Sequence, residues 1–224
     1  MSSGALVADP VSVDAPRRGL FITFEGGEGV GKSTQTRLLA DALRNLGHTV
    51  TTTREPGGTP TAETLRELLL DPARDLDPME QVLLLNAARH SHVRHVIEPA
   101  LAAGGTVICD RFLDSTRAYQ GAAGGMDADT IMELHAVVMG GLMPDLTFIL
   151  DAPVATGLQR AAARAAATDR FETARQAFHE QLRQGFLDIA AAEPGRCQVI
   201  AATNAVEHIA AVILDAACAR IGTR

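Results

Sequence analysis

Lysine is almost missing from this chain. Among 224 residues and 20 basic side chains, Lys32 is the only lysine, and arginine supplies the other 19. That single lysine lies inside a glycine-rich octet, so its position speaks of chemistry more than of solubility. Aromatic residues are scarce at 4%, although hydrophobic residues reach 46%, enough for a sizeable core. Cysteine is confined to Cys109, Cys197 and Cys218, widely spaced and without a CxxC pair. This argues against a disulfide framework or a zinc site and suits a reducing cytoplasm. Long apolar runs are also lacking. Leu20–Phe24 and Leu146–Leu150 are far too short to span a bilayer, so no membrane association is expected. The first eighteen residues have neither the basic start nor the apolar stretch of a signal peptide. They read as a disordered extension ahead of one domain over 19–224. A net charge of −7 with no basic stripe disfavours nucleic acid as a partner.

What is present is an alternation of short apolar runs and helical patterns. Strands are expected at Leu20–Phe24, Thr49–Thr53, Thr106–Cys109, Leu146–Leu150 and Cys197–Ala201. Helical spacing follows in Leu38, Leu39, Ala42, Leu43 and Leu46, and near the end in Val206, Ile209, Ile213 and Ala217. Buried strands alternating with helices imply an α/β fold: a five-stranded parallel sheet covered on both faces. In such sheets ligands gather beyond the carboxyl ends of the strands.

Directly after the first strand comes Gly26-Gly27-Glu28-Gly29-Val30-Gly31-Lys32-Ser33, a full match to GxxxxGK[ST], with Thr34 next. Glycines allow backbone N–H groups to turn inward around phosphates, and the following helix offers its positive end. Lys32 is expected on the β- and γ-phosphates of ATP and Ser33 on Mg²⁺. Asp110, ending the third strand, suits the metal-side role of a P-loop NTPase, with a helix cap as the plainer reading. No NKxD signature is present, which speaks against a GTPase.

Arg54 ends the second strand and Arg111 follows the third, so both point to the same rim. Planar bidentate donors suit a second, acceptor phosphate; a pair of structural salt bridges is the alternative. On the helix around Pro78–Ala103, Arg89 interrupts the apolar face Val82, Leu85, Val93 and Val96. An arginine there needs a partner: a base edge, a ligand phosphate or an internal carboxylate. His90, His92 and His95 do not share one face and read as solvated surface. Arg160 and Arg164, four apart, and Arg170 suit a short mobile lid over about 160–172, or else a solvated Ala/Arg helix.

Taken in order, these residues resemble the bacterial-type thymidylate kinases. The resemblance runs from Gly19 onward. It is carried by Phe24-Glu25-Gly26 before the P-loop, by Thr53-Arg54-Glu55-Pro56-Gly57-Gly58-Thr59, and by Asp110-Arg111 with Asp114-Ser115-Thr116-Arg117-Ala118-Tyr119-Gln120-Gly121. Pro144-Asp145-Leu146-Thr147 and Asp169-Arg170-Phe171-Glu172 extend it. The resemblance implies transfer of the γ-phosphoryl group of ATP to dTMP with Mg²⁺, in a homodimer. It also implies that Arg54 and Arg111 grip the dTMP phosphate, that Glu28 lies near the sugar and phosphates, and that Arg89 bonds the thymine. Ser115, Thr116 and Gln120 would line the nucleoside pocket, with Tyr119 beside the sugar. The P-loop carries no arginine, so the lid would supply the catalytic cation from Arg160, Arg164 or Arg170. Three positions depart from the family pattern: Leu85 replaces a stacking phenylalanine, the lid over Ala161–Thr168 is alanine-rich and about one residue longer, and Ala201 replaces an acid. The rival readings are a kinase for another deoxynucleotide and a P-loop ATPase switch that has no phosphoryl acceptor.

Overall fold

Along β1 (Phe21–Glu25) alternate side chains enter two different cores, and this period of two organises the molecule. In the computed structural model, which describes residues 18–163 and 172–222 (backbone alone over 172–175), Ile22 and Phe24 face one layer of helices. β3 (Thr106–Asp110) and β4 (Leu146–Asp151) add Ile108, Phe148 and Leu150 to that face. Leu39 and Leu43 of α1 (Lys32–Asn45) and Ile209, Ile213 and Ala217 of α9 (Val206–Gly222) cover it. The opposite face carries Phe21, Val107 and Cys109 and is covered by α3 (Pro78–His92) and α6 (Ala128–Met139). Toward β4 the cover passes to α8 (Glu172–Ala192), whose Leu182 and Phe186 pack with Ile149. A buried Leu, Ile or Phe contributes about 1.5–3 kcal/mol against ~0–1 kcal/mol for an exposed ion pair, so these two layers hold the sheet.

The sheet is five-stranded and all parallel, in the order β2-β3-β1-β4-β5, with β2 at Val50–Arg54 and β5 at Cys197–Ala201. The expected strands are all present. Their ends differ by one residue at β1, β2, β3 and β4, because Arg54 still pairs with Asp110, Glu25 with Ile149 and Asp151 with Ala201. The long helix from Pro78 is interrupted: a π-helical turn at Val93–Ile97 separates α3 from α4 (Glu98–Ala102). Pro99 explains it, since proline has no N–H to give and its ring clashes with the carbonyl four residues back. A second π-helical turn, Arg117–Ala122, continues α5 (Leu113–Thr116).

β1 lies between β3 and β4, so the chain leaves it at the point where the connections diverge to either side of the sheet. The glycine-rich loop sits there. Gly29 has φ 70°, and a Cβ on it would collide with the carbonyl of Gly157 in α7 (Val154–Ala162). Residues 1–17 of the expected extension lie outside the described residues. Arg18 is described and donates to the Asp145 carboxylate at 3.2 Å. Among the described residues, no helix is long and apolar enough to cross a membrane.

Candidate active site

The loop Gly26–Ser33 reverses the chain between β1 and α1, with Gly31 in the left-handed region at φ 97°. No side chain caps α1, so its first N–H groups face the loop unclaimed, which is the arrangement of an anion cradle. Lys32 is buried and its Nζ donates to the carbonyls of Gly26 at 3.0 Å and Gly27 at 2.6 Å. Burial, then the Arg111 guanidinium, pull its pKa down to about 7. Ser33 Oγ donates to Asp110 Oδ2 at 2.6 Å, which brings the two expected metal-side oxygens together. Val30 is part of the hydrophobic core, whereas Glu28 and Thr34 are exposed. Glu28 lines both hollows that flank the loop.

On the β2–β3 side a cavity of about 450 Å³ opens beside Ser33 and Asp110. Arg54, Leu85, Arg89, Arg111, Ser115, Thr116, Tyr119 and Gln120 all line it, so the expected acceptor residues converge. Arg54 Nη2 donates to Glu63 Oε2 at 2.9 Å. Arg111 donates through Nη1 to Gly26 O at 3.2 Å and Ser115 Oγ at 3.0 Å, and through Nη2 to Tyr119 Oη at 3.1 Å. Gln120 Nε2 donates to Gln81 Oε1 at 3.0 Å. A third guanidinium, absent from the sequence reading, joins them: Arg66 of α2 (Pro60–Leu70), bonded to Pro56 O at 2.8 Å. Burial, then the repulsion of Arg54, hold its pKa below the usual arginine value. Its signal lay in helical spacing, three residues after Glu63. Arg54, Arg66 and Arg111, beside an Arg89 already paired with Glu55, suit a dianion.

Arg89 is 2% exposed, and an internal carboxylate is indeed its partner: Nε donates to Glu55 Oε2 at 2.7 Å. Nη2 donates to Thr116 Oγ1 at 2.9 Å, and the guanidinium lies over the Phe112 ring at 5.1 Å. Nη1 is buried and has no hydrogen-bond partner among the described residues. The structure corrects the reading of His92 as solvated surface. It is fully buried, with Nδ1 3.0 Å from Glu55 Oε1 and Nε2 2.6 Å from Thr53 Oγ1. The pair accounts for Glu55: burial alone would raise its pKa, but Arg89 and His92 hold it below the usual carboxylate value. His90 and His95, by contrast, are exposed.

A sequence profile described as thymidylate kinase matches residues 24–213. A thymidylate kinase of Caulobacter vibrioides is 54% identical over 206 residues, covering 92% of this chain and 99% of that protein. One from Deinococcus radiodurans is 50% identical, covering 91% and 98%. The crystal structure of a thymidylate kinase from Ehrlichia chaffeensis superposes with a TM-score of 0.73 at 36% identity, covering 89% of this chain and 98% of that one. The chain belongs to the thymidylate kinase family. Of the three lid arginines considered for this family member, Arg160 is described, with Nη1 donating to Ala202 O at 3.0 Å. Arg164 and Arg170 lie outside the described residues. Leu85 is half-buried on the wall of the same cavity as Arg89.

Proposed function

We propose that the protein transfers the γ-phosphoryl group of ATP to dTMP, giving dTDP and ADP. The observation that carries this reading is the cluster of Arg54, Arg66 and Arg111 on a cavity that shares Ser33 and Asp110 with the P-loop. An ATPase switch has no need of a second phosphate site beside the first. The base follows from Arg89, a side chain that can only donate. An unused donor suits the O4 acceptor of thymine and opposes the N4 amino group of cytosine.

The acceptor phosphate has a second pKa of about 6, so it is ionised near neutral pH and needs no general base. Catalysis then consists of aligning two phosphates and neutralising charge. In this reading Lys32 and the backbone from Gly26 to Thr34 hold ATP, Arg54 and Arg111 hold the acceptor phosphate, and Glu28 lies between. Ser115, Thr116, Tyr119 and Gln120 surround the nucleoside. A cation from the lid, Arg160, Arg164 or Arg170, neutralises the transferring group. Ser33 and Asp110 offer hard oxygen ligands of the kind Mg²⁺ takes alongside phosphates and water, and they would hold that ion, which supplies charge neutralisation. The unpaired cysteines suit the cytoplasm, and the family resemblance implies a homodimer.

ADP release with ATP and Mg²⁺ across a panel of monophosphates tests this. Release that depends on dTMP and exceeds that with dCMP, dGMP or dAMP is expected. Release indifferent to any monophosphate would establish the ATPase switch. Preference for another deoxynucleotide would transfer the reading to that substrate.

A further inference from the structure

Glu25 is a carboxylate at the end of a strand that is otherwise wholly buried, and it is 0% exposed itself. It neither lines the acceptor cavity nor belongs to the P-loop octet. Its two oxygens are both engaged: Oε1 accepts the backbone N–H of Phe112 at 2.7 Å and Oε2 accepts Ser115 Oγ at 2.6 Å. Ser115 Oγ in turn accepts from Arg111 Nη1 at 3.0 Å. Arg111 closes the loop by donating to the carbonyl of Gly26, the residue after Glu25. The turn so held is unusual. Arg111 has φ 72°, the only non-glycine with positive φ among the described residues, and such a conformation persists only where its surroundings impose it. Burial, then the Asp114 carboxylate, push the Glu25 carboxyl up to about 8. In either protonation state the Oε2–Ser115 contact retains a proton to share.

We propose that Glu25 is a positioning residue for phosphoryl transfer, clasping the β3–α5 turn to the start of the P-loop so that Arg111 stands at a set distance from the donor phosphates. The inference rests on the reading of Arg111 as a ligand of the acceptor phosphate. The clasp is reciprocal: Glu25 holds the turn, and Arg111 holds Gly26. A shorter side chain at position 25 cannot reach Phe112 N and Ser115 Oγ together. The turn then relaxes, and the two phosphates lose their alignment while the P-loop still binds ATP.

Glu25→Asp keeps the carboxyl group and withdraws it by one methylene. The expected result is a loss of about a hundredfold in kcat/KM for dTMP, carried largely by kcat, with the ATP KM moving less than about twofold. Glu25→Gln, which keeps the length and the acceptor for Phe112 N–H, should recover most of that loss. A purely structural role would lower the melting temperature and scale both substrates together. A folded Glu25→Asp enzyme with wild-type kcat/KM for dTMP, or one whose ATP KM rises as much as its dTMP KM, overturns the clasp. If Glu25→Asp does not melt cooperatively, Ser115→Ala breaks the same chain from the half-buried end. It should show the same split, and unchanged kcat for dTMP would refute the proposal. Wild-type enzyme inactive on dTMP would instead remove the functional reading, and the clasp with it.

Discussion

Around the P-loop, the proposed phosphate cradle is built from backbone: N–H groups at the start of α1, glycines and one lysine whose bonds among the described residues go to main-chain carbonyls. Across the cleft the acceptor wall is made of side chains that hold one another. Thr53, His92, Glu55, Arg89 and Thr116 form one buried run of hydrogen bonds, and Glu25, Ser115 and Arg111 form another. The difference teaches that chemistry and stability are separable on the donor side and entangled on the acceptor side. A triphosphate can be met by main chain, given glycines at the turns that need positive φ. A particular base and monophosphate must be met by particular side chains, and buried polar groups are costly unless every member has a partner.

The largest effect should come from the donor side without touching the fold. Lys32→Met is expected to lower kcat by about a hundredfold to a thousandfold or more, as for loss of a preorganised cation, while circular dichroism and melting temperature stay at wild-type values. Retained turnover would break the P-loop assignment. Arg89→Leu is its counterpart on the acceptor side. It leaves the buried Glu55 with His92 as its remaining charged partner, so up to about 3–5 kcal/mol of stability should vanish along with dTMP binding, read by urea denaturation. A variant as stable as wild type would dissolve the contrast between the halves.

A smaller effect sharpens the comparison through pH. The raised pKa of Glu25 means that the folded protein keeps a proton which the unfolded chain has released. That contribution is fully present below the ordinary glutamate range and is lost as pH rises toward about 8. Wild type should therefore lose stability relative to Glu25→Gln between about pH 5 and 8, by at most about 1.4 kcal/mol per pH unit. Parallel stability curves would show that Glu25 titrates normally. The smallest effect is a gain: Leu85→Phe restores a ring beside Arg89 and should tighten dTMP by about 1 kcal/mol or less, leaving ATP unchanged. Equal dTMP affinity in both proteins would confine Leu85 to packing.

Much of this was legible in the sequence, and the reasons divide along the same line. The strands announced themselves because the central three are short apolar runs buried on both faces, and the P-loop did so because its glycines are dictated by backbone conformation. Arg54, Arg89 and Arg111 stood out as cations at strand ends or in an apolar stripe. His92 was misread because it was compared with His90 and His95, when it lies three residues after Arg89 and shares that face. Arg66 was overlooked because its hydrogen-bond partner is remote in sequence: Pro56 is ten residues away. Glu25 gave a faint signal, an acid inside an apolar run, but its partners Phe112 and Ser115 are set by the β1–β3 pairing, which no local pattern reports. The π-helical turn at Arg117–Ala122 has no marker of the kind that Pro99 gives the first.

The central claim is that two differently built walls grip two different phosphates, and Arg54 tests it most directly because it is half-exposed and lies on the rim of the acceptor cavity. Calorimetric titration of dTMP and of a non-hydrolysable ATP analogue into Arg54→Ala separates the walls. Loss of a hydrogen-bonded charge contact, roughly 1.5–3 kcal/mol, predicts dTMP affinity reduced by about tenfold to more than a hundredfold with the analogue unaffected. Weakened binding of the analogue with dTMP unchanged would contradict the account.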